Sequence, residues 1–142
     1  MIMDRTALFS DGQAITATAA STNIVDLGAT GTPYGGTALV RDVGLGRSVP
    51  IVVTVTQSFD ALTSLTISVE TDDNSSFSSA TTKWTSPAYT LAQLATGAKY
   101  LLPDAIPAGV NERYVRLKYT VAGSSPTVGK ITAGVVAARQ SA

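Results

Sequence analysis

Apolar and polar residues alternate along four stretches of the chain, which is the pattern of β-strands with one buried face. The stretches cover residues 49–56, 64–71, 114–121 and 130–138. Because side chains alternate between the two faces of a strand, we expect the following residues to point inward: Ile51, Val53, Val55, Leu65, Ile67, Val69, Val115, Leu117, Tyr119, Val121, Ile131, Ala133 and Val135. Val52 lies on the opposite face, which predicts partial cover on both sides of that strand.

Weaker patterns and turn residues mark the rest of the chain. Shorter strands are predicted over residues 14–19, 23–27, 40–43 and 81–87. The segment 89–96 has apolar residues at helical spacing, which predicts one or two helical turns. A short Gly/Ser/Pro segment at 123–126 predicts an antiparallel hairpin between the last two strong strands. Residues 28–40 begin with a glycine-rich run and predict a long extended loop.

Short strands joined by turns predict an all-β protein, an antiparallel β-sandwich of the jelly-roll type. We expect one domain over residues 1–142, since no internal repeat and no break in composition marks a boundary. An immunoglobulin-like sandwich remains an alternative. The paired cysteines around a buried Trp that mark immunoglobulin domains are missing, because the chain has no Cys.

The composition narrows the possible functions. The chain has no His and no Cys, 14% charged residues and a net charge of zero. Since His and Cys most often carry acid–base, nucleophilic or transition-metal chemistry, the sequence predicts a structural or binding protein and not an enzyme. A neutral chain does not favour nucleic acid, and its apolar runs are too short for a membrane helix. Charges near the start do not fit a signal peptide, so we expect the protein to stay in the cytoplasm that made it.

Three kinds of feature suggest binding sites, and each has a plainer explanation. Residues 72–76 collect oxygen ligands that suit Ca²⁺, but their spacing is not that of an EF-hand, and Asp and Asn favour turns by themselves. The glycines of 31–36 and 44–47 lack the remaining residues and the βαβ setting of a phosphate loop. Tyr114, Arg116 and Lys118 form a stripe of the kind that binds single-stranded nucleic acid. In a neutral chain, a solvated or subunit-facing sheet surface is the favoured interpretation.

Two further alternatives involve aromatic and acidic residues. Trp84, Tyr89 and Tyr100 suggest a sugar-stacking platform, which core packing explains more simply. Glu70 and Glu112 are the only glutamates, and nothing in the sequence pairs either of them with a second carboxylate. The sequence therefore predicts no catalytic, cofactor-binding or metal-binding residues.

Several ordered phrases of the sequence resemble a known family. They are the opening residues 1–13, the segment 22–28, the strand 64–71 with the turn 72–77, Leu101-Leu102-Pro103, and residues 114–119. Together they resemble the capsid cement (decoration) proteins of tailed bacteriophages, in particular the family typified by the Bordetella phages. The similarity runs over nearly the whole chain and includes no catalytic signature.

The resemblance implies a jelly-roll protein on the outer surface of an icosahedral phage head, where it bridges major capsid subunits and stabilises the shell. The expected partners are the major capsid protein and further copies of the chain itself, with a dimer favoured over a trimer. An extended N-terminal arm over residues 1–13 and the loop over 28–40 are the expected capsid contacts, ordered only on the shell. The alternatives are another phage structural component, such as a tail or fibre domain, and a carbohydrate-binding β-sandwich.

Overall fold

Two antiparallel sheets packed against each other contain the strands of the protein. The structure is a computed structural model that describes residues 2–97 and 100–138. In chain order the strands are β1 (Met3–Ala14), β2 (Ala19–Ala20), β3 (Val25–Asp26), β4 (Ile51–Gln57), β5 (Leu62–Asp72), β6 (Thr81–Thr85), β7 (Tyr89–Thr90), β8 (Tyr114–Gly123) and β9 (Lys130–Val136). A 3-10 helix, Leu91–Leu94, follows β7.

The smaller sheet has the strand order β1-β9-β4, and the larger sheet has the order β2-β8-β5-β6. In the larger sheet β3 also pairs with β8, and β7 also pairs with β5. All of these pairings are antiparallel. The chain crosses between the sheets after β1, β3, β4 and β8, as the connections of Greek-key and jelly-roll proteins do. The predicted antiparallel sandwich is confirmed.

The core lies between the sheets and contains the side chains that the alternation predicted. Ile67 and Leu117, at the centres of β5 and β8, are fully buried, as are most of the predicted inward residues. Val121 and Val135 are half-buried and pack against the same cluster. Val52 on the opposite face of β4 is also fully buried, so the prediction of cover on both sides of that strand is confirmed.

The N-terminal residues form a strand, and the expectation of a separate arm over 1–13 is wrong. Apart from residue 1, which lies outside the described residues, and Ile2, this segment belongs to β1. β1 pairs with β9 from Met3 opposite Val136 to Ala14 opposite Lys130. Phe9 is fully buried in the core, so the segment contributes packing that a free arm does not.

The hairpin predicted between the last two strong strands is also wrong. β8 lies in the larger sheet and β9 in the smaller one, so the loop between them crosses the edge of the sandwich. Asp60 fixes this crossing, because its carboxylate accepts hydrogen bonds from the N–H of Thr127 at 2.7 Å and of Val128 at 3.1 Å, and from the Thr127 hydroxyl at 2.6 Å. A short Gly/Ser/Pro segment can therefore connect strands of two different sheets, as well as the two strands of a hairpin.

The weaker strand predictions had mixed outcomes. The segment 81–87 contains β6, and 23–27 contains the two-residue strand β3. The segments 14–19 and 40–43 do not form the predicted strands: β1 ends at Ala14, and Val43 makes only an isolated bridge to Val110. The 3-10 helix lies within 89–96 and confirms the predicted helical turn.

A buried polar chain connects the two sheets. Tyr119 of β8 is fully buried, and its hydroxyl lies 2.7 Å from the hydroxyl of Ser10 in β1. Ser10 donates to the side-chain carbonyl of Gln13 at 2.7 Å, so the Tyr119 hydroxyl is the donor to Ser10. Burial raises the pKa of Tyr119 above its usual value, while the hydrogen bond with Ser10 acts in the opposite direction. The chain of hydrogen bonds fixes where β1 lies against the larger sheet.

Tyr119→Phe is expected to lower the free energy of unfolding by about 1–3 kcal/mol, because it leaves a buried Ser10 hydroxyl without one of its partners. Tyr114→Phe, the same change on the same strand at a half-buried position, is the matched control and is expected to change stability by less than about 0.5 kcal/mol. Urea denaturation of the two variants measures the difference. Equal stabilities would contradict a structural role for the inter-sheet hydrogen bond.

Candidate interaction surface

The connection between β3 and β4 contains no strand, and its first part, residues 28–41, forms a closed loop that we call the 28–41 loop. Asp26, just before the loop, pairs with both Nε and Nη2 of Arg113 at 2.7 Å. The N–H of Gly28 donates to the Asp26 carboxylate at 2.8 Å. At the other end, the Arg41 guanidinium donates to the carbonyl of Gly28, which closes the base of the loop.

Backbone hydrogen bonds also define the shape of the loop above its base. The N–H of Leu39 donates to the carbonyl of Gly31 at 3.1 Å, and the N–H of Gly36 donates to the carbonyl of Pro33 at 3.0 Å. The second bond closes a four-residue turn with Gly35 at its third position. Gly35 has φ +70°, which matches the positive φ that a type II turn requires there. The predicted loop over 28–40 is confirmed as a segment without strands.

Large apolar side chains project from this connection into solvent. Tyr34 is fully exposed at the tip of the turn, and Leu39 and Val40 are 56% and 87% exposed. Leu45, shortly after the loop, is 70% exposed. Residues 28–40 contain no charged side chain. Concentrated apolar exposure of this kind marks interaction sites on proteins.

The alternation of apolar residues does not predict the exposure of these side chains. Val40 lies in the segment 40–43, which was predicted to be a strand and would have been half-buried in a sheet. The available signal was the presence of large apolar residues in a glycine-rich segment without period-two alternation. Such residues have no face of regular structure through which to reach the core.

Two cavities lie near the connection. One, of about 460 Å³, lies between the 28–41 loop and the residues Asp73, Asn111 and Arg113. Its Arg113 is already paired with Asp26. The other, of about 290 Å³, is lined by Trp84 together with Pro103, Ile106 and other residues.

The three aromatic residues suggested for sugar stacking do not line one common cavity in the described part of the chain. Trp84 lines the smaller cavity, but Tyr89 and Tyr100 are not among its lining residues. Trp84 and Tyr89 both pack against the core, and the Tyr89 hydroxyl accepts a hydrogen bond from the N–H of Leu102 at 2.8 Å. Core packing accounts for Trp84 and Tyr89.

The acidic segment 72–76 is the turn of the β5–β6 hairpin. The Asp72 carboxylate accepts the N–H groups of Asn74 at 2.9 Å and of Ser79 at 2.8 Å. The hydrogen bond from Asn74 is the main cause that lowers the pKa of Asp72, followed by those from Ser79. The described residues contain no group of three or more acidic residues arranged to hold a metal ion. The geometry thus supports the turn interpretation of this segment.

The aromatic and basic stripe on β8 forms ion pairs with a neighbouring strand. Glu70 of β5 is buried and lies 2.7 Å from Arg116 and 3.4 Å from Lys118. The Arg116 guanidinium also stacks 4.1 Å from the centroid of the Phe77 ring. Arg116 and Lys118 therefore share a single carboxylate, which offsets one of their two positive charges.

The remaining sequence candidates are also placed by the structure. Glu112 accepts a hydrogen bond from Thr71 and lies 3.5 Å from Lys83, so each of the two glutamates contacts cationic side chains. The glycines of 31–36 and 44–47 lie in a strand-to-strand connection, with no helix at whose N-terminus a phosphate would bind.

Comparison with known protein families identifies the chain. Its residues 9–135 match the model of the Bbp16 family, a family of Bordetella phage proteins. This match covers more than half of the chain. The chain belongs to the Bbp16 family. It is therefore a phage-related protein, as the resemblance in its sequence predicted.

Two other observations add little to the family assignment. No curated protein matches this Bbp16-family chain. Within the described residues, no helix has both the length and the apolar character that crossing a membrane requires.

The ion pairs and turns predict that the Bbp16-family protein loses stability in acid. The hydrogen bond from Arg113, followed by that from Gly28, lowers the pKa of Asp26 to about 2, and the Thr127 hydroxyl, followed by the Val128 N–H, lowers the pKa of Asp60. Because these pKa values are lower in the folded state, their contribution is complete well above the unfolded pKa of about 4 and is lost as the pH falls toward 2. Urea denaturation at pH 7, 4, 3 and 2 measures this decline. Asp26→Asn should flatten it, and an unchanged acid dependence in that variant would contradict the assignment.

Proposed function

We propose that this Bbp16-family protein is a capsid cement protein, which binds the outer surface of an icosahedral phage head and bridges major capsid subunits. The family match carries the proposal, because it relates the chain to phage proteins over residues 9–135. The sequence resemblance to cement proteins gives the specific role. The exposed, uncharged 28–41 loop supports it as a surface suited to another protein.

A protein of this kind stabilises a shell by mass action. A cement protein that binds the assembled lattice, and not the dissociated subunits, shifts the equilibrium toward the lattice by its free energy of binding. The sandwich provides a rigid body for this role, since its core connects both sheets and the polar chain of Ser10 and Tyr119 joins them. The 28–41 loop provides a projection that can contact a neighbouring subunit.

We further propose that the protein forms a small closed homo-oligomer, with a dimer favoured over a trimer. β1 is an edge strand of the smaller sheet, and several of its residues between Met3 and Ala7 are exposed. An unprotected edge is commonly covered by another chain, and closed symmetry covers it without producing fibres. Sedimentation equilibrium of the purified protein measures the mass of the oligomer, and a monomer at all concentrations would refute this part of the proposal.

A binding experiment with phage heads tests the cement function. Purified protein is mixed with heads that lack it, and separately with dissociated major capsid subunits and with isolated tails. We expect the protein to sediment with heads alone and to raise the temperature at which the heads release their DNA. Binding to tails but not heads would instead indicate a tail component. Binding to none of them would refute a structural role in the particle.

A further inference from the structure

We infer that the 28–41 loop is already in its binding conformation in the free protein, and that Tyr34 is its anchor. The inferred occupant of this surface is an uncharged, mainly apolar pocket on the major capsid lattice. This inference rests on the proposed cement function and adds to it the contact residue, the character of the partner surface and the state of the loop before binding.

The side chains of Asp26, Arg41 and Arg113 hold the base of the loop together. Arg113 binds Asp26 through two nitrogen atoms, and Asp26 in turn accepts the N–H of Gly28. Arg41 then joins the far end of the loop to the carbonyl of Gly28. Immediately beyond, the N–H of Val43 donates to the carbonyl of Val110 at 3.1 Å. The two ends of the loop are therefore fixed close together, as in an Ω-loop.

The tip of the loop is fixed by its own backbone. The hydrogen bond from the N–H of Leu39 to the carbonyl of Gly31 holds the two sides of the loop close together. The Pro33–Gly36 turn places Tyr34 at the apex of the loop. Pro33 restricts the backbone at the start of the turn, and Gly35 adopts the positive φ that the turn needs. We infer from these hydrogen bonds that the loop is ordered before it binds, in contrast to the expectation that it becomes ordered only on the shell. Such a loop loses little conformational entropy on binding.

The chemistry of the loop defines the partner surface. Residues 28–40 carry no charge, and Tyr34, Leu39 and Val40 are exposed apolar side chains along the loop. Asp26 and Arg113 form an ion pair at the base, and the Arg41 guanidinium donates to the carbonyl of Gly28 there. An apolar centre with polar groups at its margin is the usual arrangement of an interface hot spot, and Tyr is one of the residues that most often supplies the anchor. The complementary pocket is apolar, with a polar group placed to meet the Tyr34 hydroxyl.

The first test replaces the anchor. Tyr34→Ala is expected to weaken binding to phage heads that lack the protein by about tenfold or more, because truncation of an anchor removes most of its buried contact. Thr37→Ala, at an exposed position in the same loop, is the matched control and should bind within about twofold of the wild type. Neither variant should change the melting temperature, since both side chains are outside the core. Equal head affinities of Tyr34→Ala and the wild type would overturn the inference.

The second test separates loop conformation from side-chain contact by using two adjacent glycines. Gly35 has φ +70° with no atom within 4 Å of an added Cβ, so alanine there disfavours the turn without a clash. Gly36 has no positive φ, and an added Cβ would make ordinary contact with Pro33 at 3.6 Å. We expect Gly35→Ala to weaken head binding by about threefold to tenfold and Gly36→Ala to leave it unchanged. Equal affinities of the two variants would overturn the claim that the loop is prearranged.

The outcomes of these tests distinguish the inference from the proposed function. If the wild type does not bind heads, the cement function fails. If the wild type binds and Tyr34→Ala binds equally well, the cement function stands and the loop inference fails. Sedimentation of the Tyr34→Ala variant in the absence of heads tests whether a second copy of the chain is the occupant. Loss of the homo-oligomer in that variant would overturn the assignment to the capsid lattice.

Discussion

Ile67→Ala is expected to lower the free energy of unfolding by about 2–5 kcal/mol. Ile67 is fully buried in the middle of β5, a strand that pairs with β8 on one side and with β6 and β7 on the other. Its backbone is held on both sides, so the structure has little freedom to close the cavity that the truncation leaves. The measurement is the midpoint and slope of urea denaturation.

Leu45→Ala is the matched control for this prediction, because it removes a similar side chain at a position that is 70% exposed. It is expected to change stability by less than about 0.5 kcal/mol. A similar loss in both variants would mean that the assignment of faces on β5 is incorrect.

Gly129→Ala is expected to destabilise the protein by about 2–4 kcal/mol. Gly129 lies in the loop that crosses from β8 to β9, with φ +142°. An added Cβ would lie 2.3 Å from the nearest ring atom of Phe59, which is itself buried in the core. The ring cannot move away without disturbing its neighbours, so the strain of the backbone and the loss of packing add together.

Gly12→Ala separates these two causes. Gly12 also has a positive φ, +57°, but an added Cβ there would meet no atom within 4 Å. Alanine at this position should therefore cost only about 1 kcal/mol, the backbone part of the effect. Thermal and urea denaturation of both variants give the comparison. If Gly12→Ala proves as destabilising as Gly129→Ala, contact with Phe59 is not the reason that position 129 requires glycine.

The alternation of apolar residues predicted the central strands well because those strands have regular pairing. β5 and β8 pair without a break from Ser64 to Asp72, so the period-two pattern matches the buried face throughout. β1 has register shifts between Met3 and Leu8, between Leu8 and Ser10, and between Ser10 and Gln13. Each shift changes which residues face the core, so the apolar residues of β1 do not follow a period-two alternation. Without that alternation, the sequence predicts an arm and not a strand.

Sheet membership could not be predicted from the loop after β8. A short segment rich in Gly, Ser and Pro is compatible with a hairpin and with a crossing between sheets, since both need only a reversal of direction. The deciding contacts come from Asp60, which is distant in sequence from Thr127 and Val128. The candidate interaction surface could be predicted only in part. The glycine-rich sequence predicts the loop, but the closure of the loop by Arg41 and Arg113 depends on contacts between distant residues.

The pairing of β1 with β9 has a consequence for how the protein is made. Among the described residues these are the first and last strands, so more than 100 residues, from Ala14 to Lys130, separate two segments that must meet to form the smaller sheet. During translation β1 leaves the ribosome long before β9 exists, and Phe9 has no finished core to enter. Folding dominated by such distant pairings is slow, on the order of milliseconds to seconds. The larger sheet, whose β5–β6 hairpin pairs locally, can form first and hold the chain until β9 completes the smaller sheet.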